Sequence, residues 1–397
     1  MLSRRQVVTS RRAAVIVLDG LGCGSAPDTA AYGDTGSDTL GNVARAVGGL
    51  TLPNLEQFGL GWCAPINGVA PVPAPAAAHG ILEPRSPGKD STTGHWELCG
   101  LILPRAFATY PHGFPATVIE EFTRRTRRGV LGNRAASGTV ILDELGAEHV
   151  RTGNWIVYTS ADSVFQVAAH EDVVPLDELY EACRIAREML QGEHAVSRVI
   201  ARPFVGSPGH WTRTPNRKDF SIAPTGPTLL DGLGAANVPV VGVGKVDDLF
   251  AGRGIRSRHT ATNGEAYRLI VDALQEMERG FLFANVIEFD QSWGHRNDVP
   301  GFQRGLLELD AALPGILASG RADDLIIFTA DHGNDPTTPS TDHSREVVPL
   351  LVWGPKVRPV ALGVRRSFAD VGQTVAEFLG AAKLPAGDSF LHEVWRD

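Results

Sequence analysis

The chain has 397 residues, 43% of them hydrophobic, which is enough for one large α/β core and a second, smaller domain. Its 45 acidic and 37 basic residues give a net charge of −8 with no basic stripe, which argues against a nucleic-acid partner. No segment approaches the roughly 20 apolar residues that span a bilayer, so no membrane partner is expected.

The sequence starts MLSRRQVVTSRRAAVIVLDG. Its SRRQVV has a weak likeness to a twin-arginine export signal. The apolar run that follows, 13–18, is shorter than the about 7–15 residues of a secretory core and stops at Asp19. Cys23, Cys63, Cys99 and Cys183 have no paired spacing, so neither disulfides nor a thiolate zinc site is expected, and a reducing, cytoplasmic setting fits. The run AAVIVLDG (13–20) predicts a buried parallel strand closed by Asp-Gly. GVAPVPAPAAAHG (68–80) predicts a Pro/Ala-rich surface connection.

GKDSTTGHWE (88–97) sets Ser91, Thr92 and Thr93 just ahead of Gly94 and His95. Alone, it reads as a polar turn or a helix N-cap, because Ser and Thr oxygens accept orphan backbone N–H groups. From about Arg105 to Phe220 the chain carries its own α+β set, with an amphipathic helix, ATVIEEFTRRTRR, whose basic end is solvated. This predicts an inserted domain, 105–220, dividing a core made of 1–104 and 221–397. The core resumes near TGPTLLDGLGAANVPVVGVGKV (225–246). FLFANVIEFD (281–290), DLIIFTADHGND (324–335) and VVPLLVWGP (347–355) predict three more strands of the same kind, separated by helical stretches such as 301–318. The alternation predicts a doubly wound α/β sheet, in which ligands bind beyond the carboxyl ends of the strands.

Acids and imidazoles gather at those ends. Asp19 follows the first strand; Asp290 and His295 lie in FDQSWGHRND; Asp331, His332 and His343 lie in ADHGNDPTTPSTDH. Mixed oxygen and nitrogen ligation without sulfur suits Mn²⁺, Zn²⁺, Fe²⁺ or Co²⁺ and disfavours Ca²⁺. Six ligands suit two metals, and paired metals clamp the attacking and leaving oxygens of a phosphoryl displacement. Ser91 then gains a purpose as a hydroxyl nucleophile activated by metal, with Gly88 and Gly94 letting the backbone bend around it.

VIVLDGLGCG, APDTAAYGDTGSDTLGN, GKDSTTGHWE, VYTSADSVFQVAAHE, RVIARPF, TRTPNRKDFS, GKVDDLF, DQSWGHRND and ADHGNDPTTPSTDHSREVVPLLVW together resemble the phosphopentomutase family of the alkaline phosphatase superfamily, from about residue 13 to the C-terminus. The resemblance implies an alkaline-phosphatase-like core with an inserted α+β cap domain. It implies interconversion of ribose 1-phosphate and ribose 5-phosphate, and of their deoxy forms, with two Mn²⁺ ions and a sugar bisphosphate such as glucose 1,6-bisphosphate as activator. By similarity Asp19, Asp331 and His332 hold one metal and Asp290, His295 and His343 the other. The family nucleophile, usually threonine, falls on Ser91, and serine lacks the β-methyl that restricts the rotamer. Trp293 in DQSWGH also departs from the leucine-tyrosine pair more common in the family. Both departures leave room for a modified pentose phosphate as substrate.

Two other readings compete with a mutase. One is a metal-dependent phosphatase or phosphodiesterase on the same scaffold; the other is a pseudoenzyme, which would lack a ligand or the hydroxyl. A mutase must keep water from its phosphoenzyme, and the cap motifs match the mutase pattern. The expected partner is a small sugar phosphate, with no obligate protein partner. Arg198, Arg202, Arg213 and Arg217 in the cap motifs, with Lys245 where the core resumes, are candidates for its distal phosphate, since the guanidinium fork binds oxygens in pairs. Ser160 and Asp162 are candidates for the sugar hydroxyls. Substrate recognition is expected at the seam of cap and core.

Overall fold

The computed structural model describes residues 10–160 and 163–396. The chain divides into two compact units, Met1–Arg105 with Pro224–Asp397, and Ala106–Ala223.

The first unit is built on an eight-stranded sheet. In chain order its strands are β1 (Arg12–Leu18), β2 (Ala78–Leu82), β9 (Val240–Val243), β10 (Ser257–Arg258), β11 (Gly280–Val286), β12 (Asp324–Thr329), β13 (Val348–Trp353) and β14 (Ala361–Arg365); the second unit holds β3 to β8. Across the sheet the order is β10-β9-β11-β1-β12-β13-β2-β14. β10, β9, β11, β1 and β12 run parallel. All seven residues of β1 and all seven of β11 are buried. Side chains alternate between faces, so burial of every one means that both faces are covered, as in a doubly wound sheet. The Asn263–Glu276 helix packs on β11 and the Ala369–Leu379 helix on β1.

The central register is held at its base by a buried ion pair. Arg12 faces Asp324 across β1 and β12, and its Nε donates to Asp324 Oδ1 at 2.8 Å. At the other end Leu18 is level with Val286 and Val17 with Thr329. The three strand ends therefore stop side by side, and Asp19, Asp290 and Asp331 follow them.

Two expectations need correction. β13 was expected as one more parallel strand, but it runs antiparallel to both β12 and β2. A continuous apolar run reports burial on both faces and carries no information on direction. The Pro/Ala stretch 68–80 also ends inside the sheet: Ala78–Leu82 is β2, and Ala77 and Ala78 are fully buried. Small residues suit it, because a Cβ at Gly80 would lie 2.5 Å from the Gly363 carbonyl oxygen on β14.

The second unit carries a six-stranded sheet of β3 (Val130–Ala135), β4 (Trp155–Thr159), β5 (Val164–His170), β6 (Arg198–Ser207), β7 (His210–Arg213) and β8 (Lys218–Ser221), ordered β3-β4-β5-β6-β7 with β8 also on β6. One face packs on the Ala116–Thr126 and Leu176–Met189 helices through Phe122, Trp155, Phe165 and Cys183; the other packs Ile141 and Leu142 of the Gly138–Thr152 helix on Ile156, Tyr158 and Phe204. Of the basic run, Arg124 and Arg125 belong to the first helix and Arg127 ends it in the left-handed region (φ 59°).

His149 is buried in this unit and fixed as a neutral ring: its Nε2 accepts the His170 N–H at 2.8 Å, and Nδ1 sits 2.6 Å from the Asn154 carbonyl oxygen. Burial holds its pKa below the usual imidazole value, against the Asn154 hydrogen bond. The unfolded chain thus takes up this proton at higher pH than the folded one, so stability falls as pH drops below the unfolded value of about 6.5. Thermal unfolding followed between pH 7.5 and 5 should show this loss, and His149→Gln, which keeps a donor and an acceptor, should flatten the slope in that window.

Candidate active site and metal centre

Asp90, with Ser91 behind it, opens the Ser91–Leu98 helix. Asp90 is the N-cap: its carboxylate accepts the Thr93 N–H at 3.1 Å and the Thr93 hydroxyl at 2.6 Å. Ser91 is therefore the first helical residue, and its hydroxyl is left over for something other than capping. It lies 3.1 Å from His332 Nε2 and 3.3 Å from Asp19 Oδ1. Gly94 lets the helix press on the loop after β12, since a Cβ there would collide with the Asp331 backbone and lie 2.7 Å from Asp331 Cβ.

The six acids and imidazoles fall into two groups, Asp19 with Asp331 and His332, and Asp290 with His295 and His343; in each, the candidate ligand atoms lie within 4.8 Å of one another. The groups adjoin, because the rings of His332 and His343 are 4.4 Å apart. Asp290 is carried by a single π-helical turn, Phe289–Trp293, and His295 by the 3₁₀ turn after it. Trp293 packs on Phe289 and over Gly305 of the Val299–Ala318 helix, where any Cβ would strike the indole, so it underpins this turn.

The electrostatics are those of a site short of positive charge. Burial raises the Asp19 carboxyl above its ordinary pKa, and the Asp331 and Asp290 carboxylates raise it further. Burial also lowers the His332 imidazolium, but Asp331, Asp19 and Asp290 outweigh it and hold His332 well above the usual histidine range. Burial would raise Asp290, yet His343 and His295 pull it well below the carboxylate range; Asp331 is lowered in the same way by His332 and His95. His332 is the imidazole whose charged form these buried carboxylates favour.

Does this donor set fit divalent metals? The ring orientations say that it does. His295 Nδ1 lies 2.7 Å from the Thr341 carbonyl oxygen, which turns Nε2 towards Asp290 Oδ2, 3.3 Å away. His332 Nδ1 is 3.1 Å from the Gly333 carbonyl oxygen, with Nε2 3.3 Å from Asp19 Oδ1. His343 Nε2 is 3.4 Å from Asp290 Oδ1. An acceptor at Nδ1 fixes the tautomer whose Nε2 lone pair can ligate. Asp331 Oδ2 is buried and lies 3.4 Å from His332 Nε2, so the carboxylate and imidazole of this group converge as ligands would.

Several supporting residues escaped the reading of the sequence. His95 is fully buried, and its Nδ1 is 3.0 Å from both the Ser91 carbonyl oxygen and Asp331 Oδ2. Asn285 donates to Asp19 Oδ2 at 3.0 Å and Asn334 to Asp290 Oδ1 at 2.7 Å. Asn285 had a signal: it is the one polar residue in the run FLFANV, and a buried polar side chain needs a partner. Glu346, which burial pushes up to about 7, accepts from the backbone N–H of Gly24 and Thr39 and from the hydroxyls of Thr39 and Ser344.

The candidate substrate residues are more scattered. Lys245 Nζ donates to Gln291 Oε1 at 2.7 Å, next to Asp290. In the second unit Arg217 is engaged by both oxygens of Asp219 at 2.7 Å, and Arg198 lies 3.7 Å from the same carboxylate. Arg202 bonds Gln166 Oε1 at 3.1 Å; burial and the nearby Arg217 and Arg213 lower its pKa. Arg213 is exposed and lies against Gly138, at the start of its helix, near Tyr158. Ser160 is half-buried, and Asp162 lies outside the described residues. Asp247, Asp248 and His259 form a third group of ligand-type atoms on the surface, where such clusters are common without an ion.

The Metalloenzyme superfamily model matches residues 11–383. A phosphopentomutase of Anaeromyxobacter sp. (strain K) is 56% identical over 389 residues, 98% of this chain and 100% of that protein. One of Dictyoglomus turgidum is 54% identical over 386 residues, covering 97% and 98%. Among solved structures, Leishmania mexicana phosphoglycerate mutase superposes with a TM-score of 0.50 at 12% identity over 99% of both chains, and the PH0037 protein of Pyrococcus horikoshii with 0.50 at 17% over 95% and 99%, a likeness of fold. Among the described residues, no helix is long and apolar enough to cross a membrane. Metal-type ligands at the ends of a doubly wound sheet, and relatives matched at more than half identity from end to end, show that this chain belongs to the phosphopentomutase family and is an isomerase of the metalloenzyme superfamily.

Proposed function

We propose that the chain interconverts ribose 1-phosphate and ribose 5-phosphate, and their deoxy forms, with Ser91 as the phosphate carrier. The observation that carries this reading is the Ser91 hydroxyl at 3.1 Å from His332 Nε2 and 3.3 Å from Asp19 Oδ1, beside a second ligand group. Asp19, Asp331 and His332 would hold one divalent ion and Asp290, His295 and His343 the other, with Mn²⁺ suited to the oxygen-rich mixed set. When bound, such ions lower the pKa of a nearby hydroxyl and neutralise phosphoryl charge. Ser91 Oγ takes a phosphoryl group from a sugar bisphosphate as the phosphorus–oxygen bond to the sugar breaks, and that sugar oxygen takes up a proton. The reverse step delivers the group to the other sugar oxygen. His95 and Asn285 hold Asp331 and Asp19 in place throughout.

In this reading residues 106–223 form the cap, and its arginines read the distal phosphate. Arg213 is the stronger candidate, because Arg217 already has a carboxylate. Arg213→Ala should lower kcat/KM for ribose 5-phosphate by about 10–100-fold, the worth of a charge-assisted hydrogen bond of about 1.5–3 kcal/mol, and Arg217→Ala by less. Hydrolysis of a small aryl phosphate should change little in either; equal loss of both activities would remove the arginines from recognition. Four buried free thiols support a cytoplasmic setting.

The test of the whole reading is phosphorus NMR of the Mn²⁺-loaded protein with ribose 5-phosphate, with and without glucose 1,6-bisphosphate. Ribose 1-phosphate should appear and be accelerated by the bisphosphate. Release of inorganic phosphate alone would make the protein a phosphatase.

A further inference from the structure

We infer that Lys89 is a positioning residue that couples the Ser91 segment to the loop bearing His343, an inference that rests on the two-metal reading above. Lys89 lies two residues before Ser91, and its ammonium is saturated by carboxylates: Asp34 Oδ1 at 3.0 Å, Asp34 Oδ2 at 3.1 Å and Asp342 Oδ2 at 3.2 Å. Asp342 directly precedes His343. Its Oδ1 accepts the His343 N–H at 2.9 Å and lies 3.5 Å from His343 Nδ1. Asp34 in turn accepts the Arg345 N–H at 2.8 Å, and the Arg345 guanidinium donates to the carbonyl oxygens of Ser86 and Gly88. Three segments remote in sequence thus meet at one ammonium: the loop at 34, the segment that carries the nucleophile, and the loop that carries a ligand of the second group.

The burial argues for more than a surface ion pair. The Lys89 and Asp34 side chains are only 20% and 10% exposed, so their attraction is screened far less than that of exposed partners. Outer partners that orient a ligand typically cost 10–100-fold in metal affinity or activity when removed. Ser91 is tied to the first group through His95, whose Nδ1 bridges the Ser91 carbonyl oxygen and Asp331. Lys89 supplies the matching tie to the second. A single lysine therefore sets the offset between the phosphate carrier and one of the two cation sites.

Calorimetric titration of metal-free protein with Mn²⁺ tests this. Two ions on the unaltered chain establish the two-metal reading itself; a single ion would overturn that reading, and this inference with it. Given two ions, Lys89→Met should weaken one of them by about 10–100-fold and leave the other unchanged. Asp342→Asn should do the same, and the double variant should be little worse than either alone. At saturating Mn²⁺, kcat should fall with KM for ribose 5-phosphate unchanged. Native affinity for both ions in Lys89→Met and Asp342→Asn would overturn the inference. So would a change confined to KM, which would make Lys89 a substrate contact.

Discussion

Ser91→Ala should lower mutase turnover by about 10⁴-fold or more, the scale of losing a nucleophile that acts as a unit with its surroundings. The fold should survive. Asp90, not Ser91, caps the helix, and Ala is at least as good a helix former at its first position. The melting temperature and the Mn²⁺ count should therefore stay close to those of the unaltered chain. Ser91→Thr should keep turnover within about tenfold, because it retains the hydroxyl and adds only a methyl group. Mass spectrometry after incubation with a sugar bisphosphate should find phosphate on Ser91. Phosphate on Thr92 or Thr93 would move the carrier; both are buried, and the Thr93 hydroxyl is already given to Asp90.

Asp19→Asn should have opposite effects with and without metal. Asp19 is buried beside two other carboxylates, and its pKa is raised by burial first and then by Asp331 and Asp290. In EDTA, removing its charge relieves that repulsion, and the variant should melt above the unaltered chain by about 1–2 °C for each kcal/mol relieved. In excess Mn²⁺ the order should reverse, because stabilisation by a ligand follows its affinity for the native state and this site has lost an anionic oxygen. Turnover should fall by about 10³-fold or more, and metal analysis should show one ion fewer. A variant that melts below the unaltered chain in both buffers would mean that Asp19 is a structural carboxylate and not part of a cation site.

The reading of the sequence reached β1, β11 and β12 because a strand buried on both faces must be apolar at every position, and the acid that ends each run marks the sheet edge. It reached His332 and His343 because HGND and TDH lie within one short segment, and His295 because it follows Asp290 by five residues. It did not reach β2, where alanine and proline look like a connection and the Gly80–Gly363 approach supplies the reason for small residues. Nor could it orient β13, whose apolar run looks alike in either direction. The ties that hold the site rigid were also hidden. Asn285 to Asp19 spans 266 residues and Lys89 to Asp34 spans 55, and a polar contact at such separation leaves no local period. Arg198 and Arg217 were legible as parts of motifs, yet their pairing with Asp219 was not, because a single carboxylate two residues from Arg217 looks like any surface charge.

The central place of β1 has a consequence for how the chain is made. Ala13–Leu18 leaves the ribosome well before its two neighbours in the sheet, Gly280–Val286 and Asp324–Thr329. The second unit, Ala106–Ala223, is complete well before either is synthesised. An apolar central strand of the core thus waits, unpaired, while most of the chain is translated, the situation in which exposed strand edges aggregate. Long-range parallel pairing is also slow to form. Refolding should therefore show a fast phase in the second unit and a slow one in the sheet, with Mn²⁺ uptake by the Asp19, Asp331 and His332 group following the slow phase, since that group is assembled only when β1 has met β12.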